Sequence, residues 1–353
     1  MINRENLGKS LVADGNLKKG STLRSENIKV RSPGQGLSPQ YYEKLIGMSL
    51  KRDMQDEDYF FESDICETSI EPRAYDFNRP WGVPVRYHDF KEYKSKIKPD
   101  FFEFHLSYSD MEIEPKTYLE QSLNLDFVVH APELFSNSHL MDLATDDKSY
   151  RKESIKQTQK VIDITRNLNK YFPSTNKPLI VANVGGFSMD ESFSKKKKEN
   201  LYKTFRKSLN ELDKKDVEII PQTMAPFPWH FGGQRFQNIF VLPDEIVRWC
   251  NELDIRMCFD ISHSMLTCNH FGLDFYEFAE EISTVTAYLH MGDARGVNGE
   301  GLQIGDGEID FHKLSKILNI KCPKAGFIPE IWQGHKNGGE GFWLALEKLE
   351  GVL

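Results

Sequence analysis

The sequence predicts an α/β protein in which a parallel (β/α)8 barrel follows a small β-rich module. Eight apolar, strand-like segments alternate with helical patterns over about 270 residues, the length that such a barrel needs. A doubly wound open sheet is the alternative, but it would need a GxGxxG turn after an early strand, and none is present. The predicted strands are residues 83–88, 101–107, 127–131, 178–184, 217–222, 256–261, 285–291 and 325–331.

The first 66 residues differ from the rest of the chain in their pattern of apolar and turn-forming residues. They form short strand-like pieces broken by Gly, Ser and Pro, with one helix-like stretch that Ser38 and Pro39 would begin. These pieces are too short for a βαβ unit. The sequence therefore predicts a β-rich module over residues 1–66, a linker over residues 67–80 and the barrel over residues 81–353.

The charge and hydropathy of the chain limit the kinds of partner that we expect it to bind. A formal charge of −8 argues against nucleic acid, because phosphate binding depends on clustered Lys and Arg. No apolar run reaches the roughly 18 residues that a membrane span needs, and the N-terminus lacks the apolar core of a signal peptide. Five cysteines without a CxxC pair indicate reduced thiols. We therefore expect a cytoplasmic protein with neither a nucleic-acid nor a membrane partner.

Polar side chains stand at the carboxyl ends of six predicted strands, which meet at one face of a barrel. Each alone is more often a satisfied core group than a ligand. Together they offer the mixed oxygen and nitrogen coordination that suits a divalent cation such as Mn, Mg, Co or Zn. Such a cation lowers the barrier to proton removal beside a carbonyl. In strand order, the residues are His130, Asn183, Gln222, Asp260 with His263, then His290, Asp293 and Arg295, and finally Glu330.

The motifs around these residues carry a family resemblance. "HAPE", "QTMAP", "CFDISH", "HMGDAR", "IGDGEIDF" and "PEIWQG" resemble, in order and approximate spacing, the xylose-isomerase-like (AP endonuclease family 2) TIM barrels. That superfamily contains sugar isomerases and epimerases, inosose dehydratases and endonuclease IV. The resemblance covers residues 81–353, and its most specific parts are the Asp-x-x-His on the sixth strand and the His-x-x-Asp-x-Arg on the seventh.

The resemblance implies roles for the residues at the strand ends. The metal ligands of the sugar isomerases and epimerases correspond here to Gln222, Asp260, His290 and Glu330. Glu330 is the expected base, and His263 and Arg295 are expected to orient the substrate and stabilise the enediolate. The expected substrate-binding residues are Arg295, His130, Asn183, Asp293 and, from the module, Arg31.

Two positions depart from the family pattern. The family has glutamate at the fifth strand, where it is both ligand and acid/base group, whereas this chain has Gln222. An amide takes up no proton at neutral pH, so two-base epimerisation is expected to be impaired, although Asp260 and Glu330 still balance a divalent charge. Asn183 stands where the trinuclear-zinc nucleases have histidine, so DNA repair is not expected.

The N-terminal module also resembles a known family. Residues 9–66, and most specifically "VRSPGQGLSP", are similar to the SAF (antifreeze-like, β-clip) domain that follows the barrel of sialic acid synthases. In those synthases the domain caps a partner subunit's active site and an arginine reaches the N-acyl sugar. Arg31 matches that position, with an exposed turn residue as the plain alternative. A homo-oligomer or a synthase partner is therefore an expectation.

These observations favour a sugar isomerase or epimerase, or a related dehydratase, that acts on a sugar or sugar acid connected with sialic or other nonulosonic acid biosynthesis. Two alternatives stay open at this point. In the first alternative, the barrel is a non-catalytic sugar-binding module that lost its base at Gln222. In the second, the chain is the C-terminal part of a nonulosonic acid synthase.

Overall fold

The computed structural model describes residues 8–66, 70–120, 122–228 and 235–353. The chain divides into two compact units. One contains the described residues up to Arg73 together with Trp332–Ala345, and the other contains Ala74–Ile331 and Leu346–Leu353. None of the helices in the described residues is long and apolar enough to cross a membrane.

The first unit is built around an antiparallel pair of strands, Ser10–Ala13 and Ile28–Arg31. Short helical segments cover Ser25–Asn27, Pro39–Tyr41, Tyr42–Leu45 and Glu62–Ile65, so the helix predicted after Ser38 is present. One apolar cluster fills the unit, and all of its buried members come from the module itself: Leu11, Ala13, Leu23, Ile28, Leu37, Leu45, Leu50, Met54 and Phe60.

The segment Trp332–Ala345 joins this first unit, although the sequence assigns it to the barrel. The Glu340 carboxylate accepts the Ser63 backbone N–H at 2.6 Å. The Gln333 amide donates to the Gly34 carbonyl in the "SPGQG" loop. Both contacts are polar and join residues far apart in the sequence. The segment also contains residues in the left-handed conformation at 337–339, so its hydrophobic periodicity does not predict that it belongs to the first unit.

The second unit is a closed parallel barrel, which confirms the predicted fold class. The strands are β1 (Gly82–Val85), β2 (Phe101–His105), β3 (Asp126–His130), β4 (Leu179–Ala182), β5 (Glu218–Pro221), β6 (Met257–Asp260), β7 (Thr286–Met291) and β8 (Gly326–Pro329). Hydrogen bonding runs in the order β5-β4-β3-β2-β1 and β6-β7-β8. Parallel bridges Trp81–Phe327 and Gln222–Cys258 join the two sets and close the barrel.

Side chains from β2 to β8 fill the barrel interior as one apolar layer: Phe101, Val128, Val181, Ile220, Cys258, Tyr288 and Ile328. Helices follow most strands: α1 (Phe90–Lys96), α2 (Lys148–Asn169), α3 (Lys195–Glu211), α4 (Pro243–Leu253), α5 (Ile261–Phe271), α6 (Phe275–Ile282), α7 (Phe311–Lys321) and α8 (Lys336–Glu350). Two single-turn segments, Asp110–Glu112 and Pro115–Thr117, lie between β2 and β3. Side chains beyond the apolar layer, at the carboxyl ends of the strands, are therefore free to be polar.

Three small antiparallel strand pairs extend the carboxyl side of the barrel. Two are hairpins, Leu134–Phe135 with His139–Leu140 and Asp293–Arg295 with Gly299–Leu302, and the third pairs Phe187–Met189 with the distant segment Arg235–Gln237. The first strand of each pair follows the end of a barrel strand within a few residues. Loops on this face carry the variable chemistry of such folds, so the functional site is sought there.

Residues 74–80, which the sequence assigns to the linker, lie in the barrel unit. Tyr75 is buried and meets Trp81 edge to face, with ring centroids 5.5 Å apart. The Arg79 guanidinium is also buried and donates to the carbonyls of Cys322 and Ala325. The described residues just before this stretch, Glu71–Arg73, are mostly exposed.

We expect the two halves of this predicted linker to differ in their sensitivity to limited proteolysis. Trypsin should cut after the exposed Arg73, whereas chymotrypsin should spare the bonds after Tyr75 and Phe77, because their rings are packed with Trp81. Mass spectrometry of early digestion products measures both. Chymotryptic cleavage after Tyr75 as rapid as tryptic cleavage after Arg73 would contradict the boundary.

Candidate metal and substrate site

Three of the predicted ligands converge at the carboxyl end of the barrel. Asp260 ends β6, His290 lies in β7 and Glu330 follows β8. Nδ1 of His290 lies 2.7 Å from Glu330 Oε2 and 3.9 Å from Asp260 Oδ2. One ligand atom from each residue lies within 4.8 Å of the other two. Because protein ligands sit about 2.0–2.2 Å from Mn or Zn, these three side chains fit one shared divalent cation.

The His290 ring is oriented by a carboxylate that the sequence analysis missed. Glu103 of β2 is fully buried, and both of its oxygens lie 3.2 Å from His290 Nε2. With Nε2–H donated to Glu103, the Nδ1 lone pair faces Asp260 and Glu330. Among the described residues, buried Nδ1 has no hydrogen bond of good geometry. A histidine held by a carboxylate on one nitrogen and open on the other is the arrangement that metal-binding histidines adopt.

The electrostatics of this cluster also favour a cation. Burial alone lowers the pKa of His290, but Cys258, Glu330 and Glu103 raise it, and the net shift is well upward. Burial raises the pKa of Glu103, yet His290 and His105 bring it below its usual range. The carboxylates therefore stabilise a positive charge at Nδ1. A proton and a metal ion compete for that one position.

His263 is positioned by the helix that begins at Asp260. Asp260 is the N-cap of α5 and accepts the backbone N–H of His263 at 2.9 Å, which is why the two residues are three apart. The ring's Nδ1 lies 3.1 Å from Asp260 Oδ2, and its Nε2 lies 3.3 Å from Glu300 Oε1. Burial lowers the pKa of His263, but Asp260 and Glu300 raise it well above its ordinary value. His263 is therefore a buried cation at neutral pH.

The side chain of Gln222 is held by its neighbours. Its Oε1 lies 3.2 Å from His130 Nε2, and its amide nitrogen donates to Met224 Sδ. The His130 ring stacks on His105 with centroids 4.8 Å apart. Burial and the nearby histidines His105 and His290 lower the pKa of His130 to about 4, with Glu103 opposing them. His130 is therefore neutral at physiological pH, and Gln222 lies beside the metal cluster as a polar, non-titrating group.

Glu103, His130 and His290 form a second group of three possible ligand atoms. This group uses Nε2 of His290, the atom that pairs with Glu103, whereas the first group uses Nδ1. A neutral imidazole offers only one lone pair for a metal. The two groups therefore do not bind two ions through the same His290, and the family ligand positions favour the first.

Asn183 and Glu133 lie next to each other on the β3–β4 side. Asn183 Oδ1 accepts the Gly185 N–H at 3.0 Å, while its buried Nδ2 has no well-formed hydrogen bond among the described residues. Burial, with smaller contributions from Glu300 and Glu330, raises the pKa of half-buried Glu133 to about 8, against the opposing effects of His263 and the Asn183 amide.

Three residues that the sequence predicts to bind substrate contact other parts of the protein and not the cluster of Asp260, His290 and Glu330. The buried Asp293 carboxylate accepts backbone N–H groups from the glycine-rich loop, including those of Gly305 and Gly307, both at 2.9 Å. Exposed Arg295 donates to the Asp306 carbonyl in the same loop. Arg31, in the first unit, is exposed and lies 3.5 Å from Glu57. Asp293 and Arg295 therefore shape the loop after β7, which the sequence motif alone did not reveal.

Comparison with known proteins identifies the family. Residues 95–347, more than two thirds of the chain, match the family described as "Xylose isomerase-like TIM barrel". The chain belongs to this family. Residues 8–65 match the SAF domain, so the suspected fusion of the two is confirmed. No curated protein sequence matches the chain significantly.

Solved structures show the same fold at low identity. A D-tagatose 3-epimerase-like protein is 18% identical with a TM-score of 0.55, over 77% of this chain and 98% of that one. D-allulose 3-epimerase from Methylomonas sp. is 12% identical with a TM-score of 0.54, over 80% and 100%. Endonuclease IV from Thermus thermophilus is 13% identical with a TM-score of 0.51, over 77% and 99%. At these identities the similarity establishes the barrel fold, but not the reaction, the substrate or the roles of individual residues.

We expect Glu103→Gln to weaken metal binding without unfolding the barrel. The amide keeps the shape of Glu103 but accepts the His290 N–H less strongly and removes a buried negative charge, so affinity for Mn²⁺ or Co²⁺ should fall about 10–100-fold. Isothermal titration of the metal-stripped protein measures the change. Glu218→Gln, at the start of β5 and paired with Arg256, is the matched control and should bind like the native protein. Equal affinity in both variants would contradict the role of Glu103.

Proposed function

We propose that this chain is a sugar isomerase or epimerase-type enzyme that works by metal-assisted proton transfer beside a carbonyl. The observation that supports this best is the convergence of Asp260, Glu330 and the open Nδ1 of His290 at the carboxyl end of a xylose-isomerase-like barrel. The solved structures most like it include proteins described as 3-epimerases of D-tagatose and D-allulose. A ketose or a related sugar is therefore the proposed substrate class.

Asp260, His290 and Glu330 would hold the divalent ion, with the Gln222 carbonyl as a neutral fourth candidate. The bound Mn, Mg, Co or Zn ion would polarise the substrate carbonyl and the adjacent hydroxyl. Glu330 acts as the base, since His290 brings its pKa well below the usual value despite burial, so that it is ionised at neutral pH. It removes the proton from the carbon next to the carbonyl.

His263 would stabilise the negative charge that develops on the substrate oxygen. Its ring is cationic because Asp260 and Glu300 lie against its two nitrogens. A preorganised cation in a buried site stabilises developing negative charge far more strongly than a cation in water, because no solvent has to reorganise during the reaction. His130 and the Asn183 amide are the neutral groups proposed to hold substrate hydroxyls.

The SAF domain supports a finer assignment. Its presence at residues 8–65 supports the further proposal that the substrate belongs to sialic or other nonulosonic acid biosynthesis. The same match favours a second candidate, in which the chain is the C-terminal part of a nonulosonic acid synthase. In that case Arg31 would serve the synthase active site, and Arg31→Ala would impair the synthase reaction while leaving proton exchange by the barrel unchanged.

The proposal predicts exchange of solvent deuterium into a sugar. In D₂O with Mn²⁺ or Co²⁺, the native protein should label at least one of D-tagatose, D-allulose, D-fructose, L-ribulose and N-acetylmannosamine at the carbon beside the carbonyl. Glu330→Gln should lower the rate about 10²–10⁴-fold, the contribution of a positioned general base. Proton NMR follows the loss of the C–H signal, and chelation of the metal should stop it.

Gln222→Glu separates the candidate mechanisms. It adds a carboxylate 3.2 Å from His130 and next to the metal cluster, so we expect native exchange to fall through unwanted charge rather than to rise. The Glu218→Gln control should match the native protein. A native protein that holds no metal and labels none of these sugars, even with binding intact, would overturn the enzymatic proposal in favour of a sugar-binding barrel.

A further inference from the structure

The role proposed for His263 requires one of its ring nitrogens to reach a substrate oxygen, yet both nitrogens are already paired. Nδ1 lies 2.9 Å from the Thr223 carbonyl oxygen and 3.1 Å from Asp260 Oδ2. Nε2 lies 3.3 Å from Glu300 Oε1. A carbonyl oxygen can only accept a hydrogen bond, so Nδ1 is a donor, and the carboxylate at Nε2 makes that nitrogen a second donor.

The Nδ1 side of the ring is fixed by the core of the site. Asp260 and Thr223 are both buried, and the Thr223 hydroxyl accepts the Asp260 backbone N–H at 2.9 Å. Asp260 is also the N-cap of the helix that carries His263. A ligand therefore could not take over Nδ1 without disturbing several buried hydrogen bonds. Nε2 is the nitrogen that is left to meet a substrate.

Glu300 is the partner that can leave the ring most easily. The Glu300 side chain is 24% exposed, whereas the His263 side chain is 10% exposed. Solvent screens an ion pair when one partner reaches water, so such a pair contributes little free energy and is readily exchanged. The Glu300 carboxylate has water to turn into when another oxygen replaces it at Nε2.

The backbone beneath Glu300 is held in place. It belongs to the strand Gly299–Leu302, which pairs with Asp293–Arg295 after β7. The next residue, Gly301, donates its N–H to Ser262 Oγ at 2.9 Å, beside His263 on α5. Rotation of the Glu300 side chain about its own bonds is therefore enough to free Nε2, and the loop does not have to open.

We propose, resting on the proposed function, that Glu300 is a displaceable carboxylate that occupies the substrate-oxygen position at His263. A substrate must bring an oxygen to Nε2 and must compete with this internal carboxylate to do so. The competition weakens the binding of every ligand. It discriminates least against ligands whose oxygen at this point carries or develops negative charge, such as a sugar carboxylate or an enediolate oxygen. Glu300 is thus a specificity-determining residue and not a proton carrier.

Removal of the carboxylate is expected to strengthen sugar binding. In the deuterium-labelling assay with Mn²⁺, Glu300→Ala should lower the KM of the sugar that the native protein labels fastest by about 3–10-fold, because no internal carboxylate competes. The labelling rate at saturation should stay close to the native rate, since Glu330 and His263 are retained. Glu300→Gln keeps the size but not the charge of the side chain, so its KM should lie between the two.

Acetate supplies the group that Glu300→Ala removes. At constant ionic strength, acetate should compete with the sugar in Glu300→Ala and return the KM towards the native value. It should leave the KM of the native protein unchanged, because Glu300 already occupies Nε2. Both proteins carry the same cation, so acetate bound to the cation itself would affect them equally.

Glu308 provides the matched control. It is an exposed acid in the same loop and accepts the Asn269 amide at 2.8 Å. Glu308→Ala should keep the native KM and should not respond to acetate. Equal shifts in KM for Glu308→Ala and Glu300→Ala would assign the effect to a loosened loop and overturn the proposal. Circular dichroism and metal content of each variant confirm that fold and cation are retained.

The remaining outcomes separate this proposal from the function on which it rests. An unchanged or higher KM in Glu300→Ala overturns the role of Glu300, and so does a Glu300→Ala protein that acetate does not inhibit. Both results leave the proposed function standing. If the native protein labels no sugar, the proposed function fails. Isothermal titration of acetate into the Mn²⁺-loaded native and Glu300→Ala proteins then decides the role of Glu300 alone. Binding by Glu300→Ala only supports it, and equal behaviour of the two proteins overturns it.

Discussion

The hydrogen bond between Glu103 and His290 is the interaction on which the site depends. Both side chains are fully buried in the barrel, where an unpaired charge would be very unfavourable. Their pairing decides which nitrogen of the ring carries the proton and therefore which nitrogen faces Asp260 and Glu330. Without Glu103 no carboxylate would hold the proton on Nε2, and the Nδ1 lone pair would no longer be directed at Asp260 and Glu330.

The pocket around this pair contains more acid than base. Asp260, Glu330 and Glu300 act on one another or on the histidines, and nearby carboxylates raise the pKa of both His263 and His290 well above its ordinary value despite burial. Burial and mutual repulsion raise the pKa of Asp260, while His290 and His263 oppose the rise. A divalent ion relieves this imbalance more completely than protons do, because it neutralises two carboxylates at once.

The replacement of the fifth-strand glutamate by Gln222 fits this balance. A carboxylate there would add charge beside His130, whereas the amide pairs with the ring and with Met224. The chain thus retains polar contacts at a position where the family has a proton carrier. Asn183 and His263 are further buried polar groups at the carboxyl end of the barrel.

By itself the sequence determined the parallel barrel, the SAF-like module and the proposed ligand residues Asp260, His290 and Glu330, because strand periodicity and strand-end motifs are local signals. Only the tertiary structure decided what those residues face. Glu103 meets His290 across 187 residues of chain, and Asp293 and Arg295 bind the backbone of the loop that follows them. Trp332–Ala345 likewise joins the N-terminal unit through polar contacts with residues some 300 positions away. Such pairings depend on barrel closure and on loop paths, and no spacing along the chain encodes them.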